Sequence, residues 1–81
     1  MRVRVLTFAG IREIVGEPSR TLALPEGATA ADAWNALAGE FPALAAIAGS
    51  TRLARNGAFI DGSAALREGD ELAVLPPFGG G

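Results

Sequence analysis

The residues with the clearest chemical potential lie at the end of the sequence, Pro76-Pro77-Phe78-Gly79-Gly80-Gly81. Glycine has no Cβ, so a run of it passes a narrow channel and leaves its carbonyl carbon open to attack. Two consecutive prolines fix φ twice and impose an extended path on the chain. From Phe78 onward, four extended residues reach at most roughly 13–14 Å, enough to enter a buried site on another protein. A carboxylate is a poor electrophile. Adenylation by ATP makes it a good one, and sulfide or an amine can then displace AMP. The glycines do not form a phosphate loop, because no helix follows to supply a dipole. The competing reading is a glycine-rich end with no role.

The remaining inventory is short. Glu68, Asp70 and Glu71 cluster near the last turn. They could hold a cation or a basic partner, or form a solvated turn; EF-hand spacing is missing, and no metal site is expected. The sequence has no His, Cys, Tyr or Lys, and all seven cations are arginines. General bases near neutral pH, Schiff-base lysines, thiolate nucleophiles and imidazole ligands are therefore excluded. Chemistry at this chain must be supplied largely by partners. A net charge of −2 leaves no electrostatic footprint for nucleic acid. The N-terminus lacks an apolar signal core, and no apolar run is long enough to span a membrane. A soluble, cytoplasmic protein is the expectation.

The elements that must carry the tail are legible in the alternation of apolar residues. The 81 residues suffice for one small domain, read as residues 1–75 with a tail over 76–81. Residues 2–8 read as a strand with Val3 and Val5 inward. Its other face starts basic and ends on Leu6 and Phe8. These either tuck under a loop or keep a surface apolar for a partner. Ala9 to Gly16 reads as one or two helical turns closed by Gly16, and residues 20–24 as a second strand with Leu22 and Leu24 inward. Thr29 and Asp32 form a capping box for a helix from Ala30 to about Ala38. That helix carries an Ala30, Ala33, Trp34, Leu37 stripe and stops at Gly39. Pro42 starts a second short helix, with Leu44, Ile47 and Ala48 inward, ended by Gly49. A strand over Arg52–Arg55, an Asn56-Gly57 turn, a short return at Phe59-Ile60 and a last strand over Glu71–Leu75 complete the order. This order fits an α+β, β-grasp sheet with one main helix on one face. The first and last strands then pair in parallel at its centre, through a right-handed crossover.

At this point a family resemblance can be stated on its residues. The run from Leu66 to Gly81, with Leu66, Gly69-Asp70-Glu71, an apolar strand, Pro76-Pro77, two variable positions and Gly80-Gly81, resembles the C-terminus of molybdopterin synthase small subunits. Phe8-Ala9, Ile11-Arg12-Glu13 and Arg55-Asn56-Gly57 are similar to the same family. It departs at Phe78, where Val is usual, and at Gly79, where Ser, Ala or Thr is common. A triple-glycine end also occurs in thiamine sulfur carriers.

The resemblance implies a ubiquitin-like sulfur carrier. Gly81 would be adenylated by an E1-like adenylyltransferase that consumes ATP, then converted to a thiocarboxylate. With the large catalytic subunit, that group would donate sulfur to cyclic pyranopterin monophosphate. No cofactor is expected on this chain. Pro76 and Pro77 would aim the tail, Phe78 anchor it, and Gly79 and Gly80 let it thread. Leu6, Phe8, Ala73 and Leu75 are expected to form a partner-docking face with Arg2, Arg4 and Glu71 at its rim. The alternatives are a carrier for thiamine or tRNA thiolation, a modifier conjugated to lysines through Gly81, and an interaction domain with an inert tail.

Overall fold

The computed structural model describes residues 1–77. Strand β1 (Arg2–Thr7) alternates as expected, with Val3, Val5 and Thr7 buried. The strand ends one residue earlier than the sequence suggests, because Phe8 leaves the ladder to cap helix α1 (Ala9–Val15). That helix closes on Gly16 at φ 89°, a left-handed conformation that only glycine adopts without steric cost. Strand β2 (Ser19–Ala23) returns antiparallel to β1 and sets Leu22 opposite Val3.

Helix α2 (Ala30–Glu40) begins on the predicted capping box. Thr29 Oγ1 accepts from the Asp32 N–H at 3.2 Å, and Asp32 Oδ2 accepts from the Thr29 N–H at 2.8 Å. Ala30, Ala33, Trp34 and Leu37 are buried along one stripe. The helix does not stop at Gly39 but runs on to Glu40. Its end is set by Pro42, which excludes the preceding Phe41 from helical geometry and leaves it at φ −128°, ψ 80°. A 3₁₀ helix over Pro42–Ser50 then buries Leu44 and half-buries Ile47, whereas Ala48 is exposed.

Strands β3 (Arg52–Arg55), β4 (Ala58–Ile60) and β5 (Glu71–Leu75) complete a five-stranded sheet ordered β2-β1-β5-β3-β4. The central pair, β1 and β5, is parallel, and every other pair is antiparallel. This is the β-grasp arrangement. The core lies between the sheet and the helices, around fully buried Val5, Ile11, Leu37, Leu44, Leu72 and Val74. Burial of each such side chain contributes about 1.5–3 kcal/mol. Leu66, in an otherwise irregular segment, is also buried and is fixed by its N–H donating to the Ala28 carbonyl at 2.9 Å.

One buried side chain among the described residues is polar, Thr7. Its hydroxyl donates to the Glu17 carbonyl and its N–H to the Pro18 carbonyl. Its own carbonyl accepts from Arg12 Nε at 3.2 Å and Nη2 at 3.1 Å. With every group partnered, the desolvation cost of an unmade bond is avoided.

Candidate functional site

The parallel pairing of β1 and β5 decides what surrounds the start of the tail. Both strands run in one direction, so the chain leaves β5 at the end of the sheet where β1 also finishes. Pro76 is half-buried there and Pro77 is exposed. Phe78, Gly79, Gly80 and Gly81, the expected anchor, threading and reactive residues, lie outside the described residues.

The register brings the expected docking residues onto one surface. Leu6 is opposite Ala73 on β5, and Val5 is opposite Leu72. Because side chains alternate, Leu72 and Val74 enter the core while Ala73 and Leu75 point to the other face, each half-buried. Phe8 follows β1 in extended backbone at φ −139°, ψ 150°, and is 37% exposed. At the rim, Arg4 lies 3.7 Å from Glu71, and exposed Arg2 donates its backbone N–H to Glu68 at 2.8 Å. Such an exposed pair adds little to stability.

The same register adds residues that the sequence did not single out. Ala73 faces Ala54 on β3, and Ala54 faces Phe59 on β4. Leu6, Ala73, Ala54 and Phe59 therefore form one row across four strands. Phe59 is 57% exposed, and the Arg52 guanidinium stacks 4.3 Å from its ring centroid. Arg52 itself is opposite Leu75. At the other side of the face Arg12 lies 5.8 Å from the Phe8 centroid while it holds the Thr7 carbonyl. The result is a flat apolar surface, rimmed by guanidinium groups, beside the point where the tail begins. Aromatic and arginine groups at the edge of an apolar patch are the usual make-up of a protein-binding surface.

The carboxylates near the last turn serve the fold. Asp70 Oδ2 accepts from the Arg67 N–H at 2.8 Å and Oδ1 from Asn56 Nδ2 at 3.1 Å. The Arg67 N–H foremost, aided by the Asn56 amide and the charges of Arg55 and Arg67, holds the Asp70 carboxyl below its ordinary range against the opposing effect of burial. Glu68 caps the Arg2 N–H, and Glu71 meets Arg4. Among the described residues no three His, Cys, Asp or Glu side chains are grouped to hold a metal ion. A cleft of about 530 Å³ lined by Arg55, Asn56, Arg67 and Asp70 lies at the opposite end of β5 from Pro76. Within it Asn56 and Asp70 hold the turn and Arg55 donates to the Ala65 carbonyl.

Comparison with known proteins identifies the family. The model of the ThiS family matches residues 5–81. The molybdopterin synthase sulfur carrier subunit of Arabidopsis thaliana is 37% identical over 81 residues, covering 100% of this chain and 84% of that protein. The crystal structure of SAMP1 from Haloferax volcanii superposes with a TM-score of 0.89 at 30% identity, covering both chains completely. A chain from the protein–protein complex of subunits 1 and 2 of molybdopterin-converting factor from Helicobacter pylori matches with a TM-score of 0.70 and 27% identity, again with 100% of each chain covered. Among the described residues no helix is long and apolar enough to cross a membrane. In the sequence of residues 5–81 and in the fold of the described residues, this chain belongs to the ThiS family of ubiquitin-like sulfur carriers.

Proposed function

We propose that this chain is the sulfur carrier subunit of a molybdopterin synthase. Gly81 presents its carboxylate to an E1-like adenylyltransferase, which forms the acyl adenylate with ATP and releases pyrophosphate. Sulfur transfer displaces AMP and leaves a thiocarboxylate. The large subunit then positions that group against cyclic pyranopterin monophosphate, and the sulfur passes to the substrate. Pro76 and Pro77 direct the tail, Phe78 fills an apolar pocket of the partner, and Gly79 and Gly80 fit a narrow channel.

The observation that carries this reading is the position of the apolar face. Leu6, Phe8, Ala73 and Leu75 lie beside the start of the tail, so a partner seated on them receives the tail directly. The composition agrees, since a chain with no His, Cys, Tyr or Lys leaves acid–base chemistry to the protein it docks on. Intact-mass analysis of the protein from cells tests the reading. Replacement of one carboxylate oxygen of Gly81 by sulfur is expected. Full cofactor synthesis by cells whose copy lacks Gly81 would overturn it.

A second use has one observation in its favour, the close structural likeness to a protein named a small archaeal modifier. Its signature would be an isopeptide bond from Gly81 to lysines of other proteins.

A further inference from the structure

We propose that the cleft at the end of β5 remote from Pro76 is a binding site for a phosphate group, held between Arg55 and Arg67. The cleft measures about 530 Å³ and is lined by Arg55, Asn56, Ala64, Ala65, Arg67 and Asp70. That size falls within the range of small-molecule sites, roughly 300–1,000 Å³, and leaves room for an organic group that carries the phosphate. The cleft shares no residue with the apolar face or the tail, so the proposal is independent of what Gly81 carries.

Two guanidinium groups line this cleft without a carboxylate to neutralise them by contact. Elsewhere among the described residues, Arg4 pairs with Glu71, and Arg20 with Glu17 and Glu40. Arg12 holds the Thr7 carbonyl, and Arg52 stacks on Phe59. Arg55 and Arg67 form no ion pair among these residues. Arg55 Nη1 donates to the Ala65 carbonyl at 2.6 Å, which leaves most of its N–H donors for a ligand. The exposed Arg67 side chain donates to none of the described residues. Asp70, the one carboxylate of the lining, has both oxygens engaged, by the Arg67 N–H at 2.8 Å and by Asn56 Nδ2 at 3.1 Å. That N–H is the main hold on the Asp70 carboxyl, and the charges of Arg55 and Arg67 act on it without pairing with it. Nearby Glu68 accepts from the Arg2 N–H, and Glu71 meets Arg4. Two guanidinium groups against one carboxylate make the cleft locally cationic on a chain whose net charge is −2.

The backbone that bears the two arginines is fixed before any ligand arrives. Arg55 ends β3 opposite Leu72. Arg67 exchanges two bonds with Asp70: its N–H donates to Oδ2, and its carbonyl accepts from the Asp70 N–H at 3.1 Å. Leu66, between Ala65 and Arg67, is buried and donates to the Ala28 carbonyl at 2.9 Å. A frame set in advance lowers the ordering cost of binding. The guanidinium fork suits carboxylate and phosphate alike. A phosphate monoester carries close to two negative charges at neutral pH and three acceptor oxygens, so it can engage two arginines at once. A carboxylate has one charge and two oxygens, which a single fork satisfies. Ala64 and Ala65 add an apolar wall for the group that carries the phosphate.

The test is a titration of the full chain at neutral pH and constant ionic strength, followed by backbone amide NMR shifts. Phenyl phosphate, inorganic phosphate and benzoate are the probes. Phenyl phosphate is expected to bind saturably at millimolar concentration or below and to move the amides of residues 55–57 and 64–70. Arg67→Gln gives up no side-chain bond to the described residues, and it should weaken that binding about tenfold, the loss of one charge-assisted contact. Arg55→Gln should do at least as much, but it also frees the Ala65 carbonyl, so Arg67→Gln is the deciding variant. Arg52→Gln removes the same charge at the other end of β3 and should change the affinity by less than about twofold. Tighter binding of phenyl phosphate than of inorganic phosphate assigns the site to a phosphate ester, and equal binding assigns it to the free ion; either result supports the proposal. Shifts that do not saturate at millimolar probe would overturn it. So would equal weakening by Arg67→Gln and Arg52→Gln, or benzoate that binds as tightly as phenyl phosphate.

Discussion

Asn56 donates its side-chain amide to the Asp70 carboxylate at 3.1 Å and thereby ties the β3–β4 turn to the turn that opens β5. Its Oδ1 also accepts from the Glu71 N–H at 2.9 Å, and its own backbone sits in the left-handed region at φ 48°. Asn56→Gly removes both side-chain bonds but relieves the backbone, and should cost about 1–2 kcal/mol. Asn56→Ala removes the same bonds and keeps a Cβ in left-handed geometry, so it should cost about 1 kcal/mol more. Urea unfolding of the two variants measures the difference; equal costs would show that the left-handed geometry contributes nothing.

Asp70 makes this latch sensitive to acid. Its folded-state pKa lies below the ordinary value of 3.8, so the unfolded chain binds the proton more readily. The stabilisation is therefore complete above about pH 4 and is lost as pH falls through the lower folded value. Thermal melts from neutral to strongly acid pH should show a loss of stability in that window. The loss should be shallower in Asp70→Asn, whose overall stability at neutral pH should be lower.

The apolar face is predicted to be an interface rather than a part of the core. Phe8→Arg should leave the melting profile of the isolated chain nearly unchanged and weaken binding to the large subunit by about 30-fold or more, the effect of losing a 2 kcal/mol anchor. Phe59→Ala, on the far side of the same row, tests how wide the contact is. Calorimetric titration against the large subunit gives both numbers. Cooperative unfolding of Phe8→Arg at ambient temperature would place Phe8 in the core instead.

Ala9 begins α1 at φ 49°, a conformation an L-residue adopts at a cost of roughly 1–2 kcal/mol. Ala9→Gly should therefore be neutral or stabilising by up to about 1 kcal/mol, although glycine is normally a poor choice in a helix. Ala9→Val should be clearly destabilising, because a β-branched side chain tolerates that region least. Denaturation midpoints order the three proteins, and a stabilised Ala9→Val would contradict the account.

Much of this architecture is legible in the sequence because period-two alternation survives in β1 and β5. Val3, Val5, Leu72 and Val74 declare the inner face, which leaves Leu6, Ala73 and Leu75 for the outer one. The capping box before α2 is equally plain, since Thr29 and Asp32 are local partners. What escapes the sequence is whatever depends on strands far apart in the chain. Ala54 and Phe59 join the apolar row only through the register of β5 on β3 and of β3 on β4. The bridge between Thr29 and Ala65 and the latch from Asn56 to Asp70 are invisible for the same reason. Gly39 misleads in a different way: its low helix propensity is overridden by tertiary packing of the turn around Leu37, and Pro42 decides the boundary.

The place of β5 between β1 and β3 has a consequence for synthesis. β1 with β2 and β3 with β4 are two hairpin-like halves, and the strand order gives them no hydrogen-bonded contact except through β5. Arg4 waits for Glu71, 67 residues later, before the central seam can close. Such long-range pairing makes folding a late event. A chain cut short before Glu71 holds two unjoined half-sheets and lacks Ala73 and Leu75 of the apolar face. The β1 and β3 edges of the two halves then have no β5 to pair with. The sheet thus closes only when its last strand arrives, six residues before Gly81.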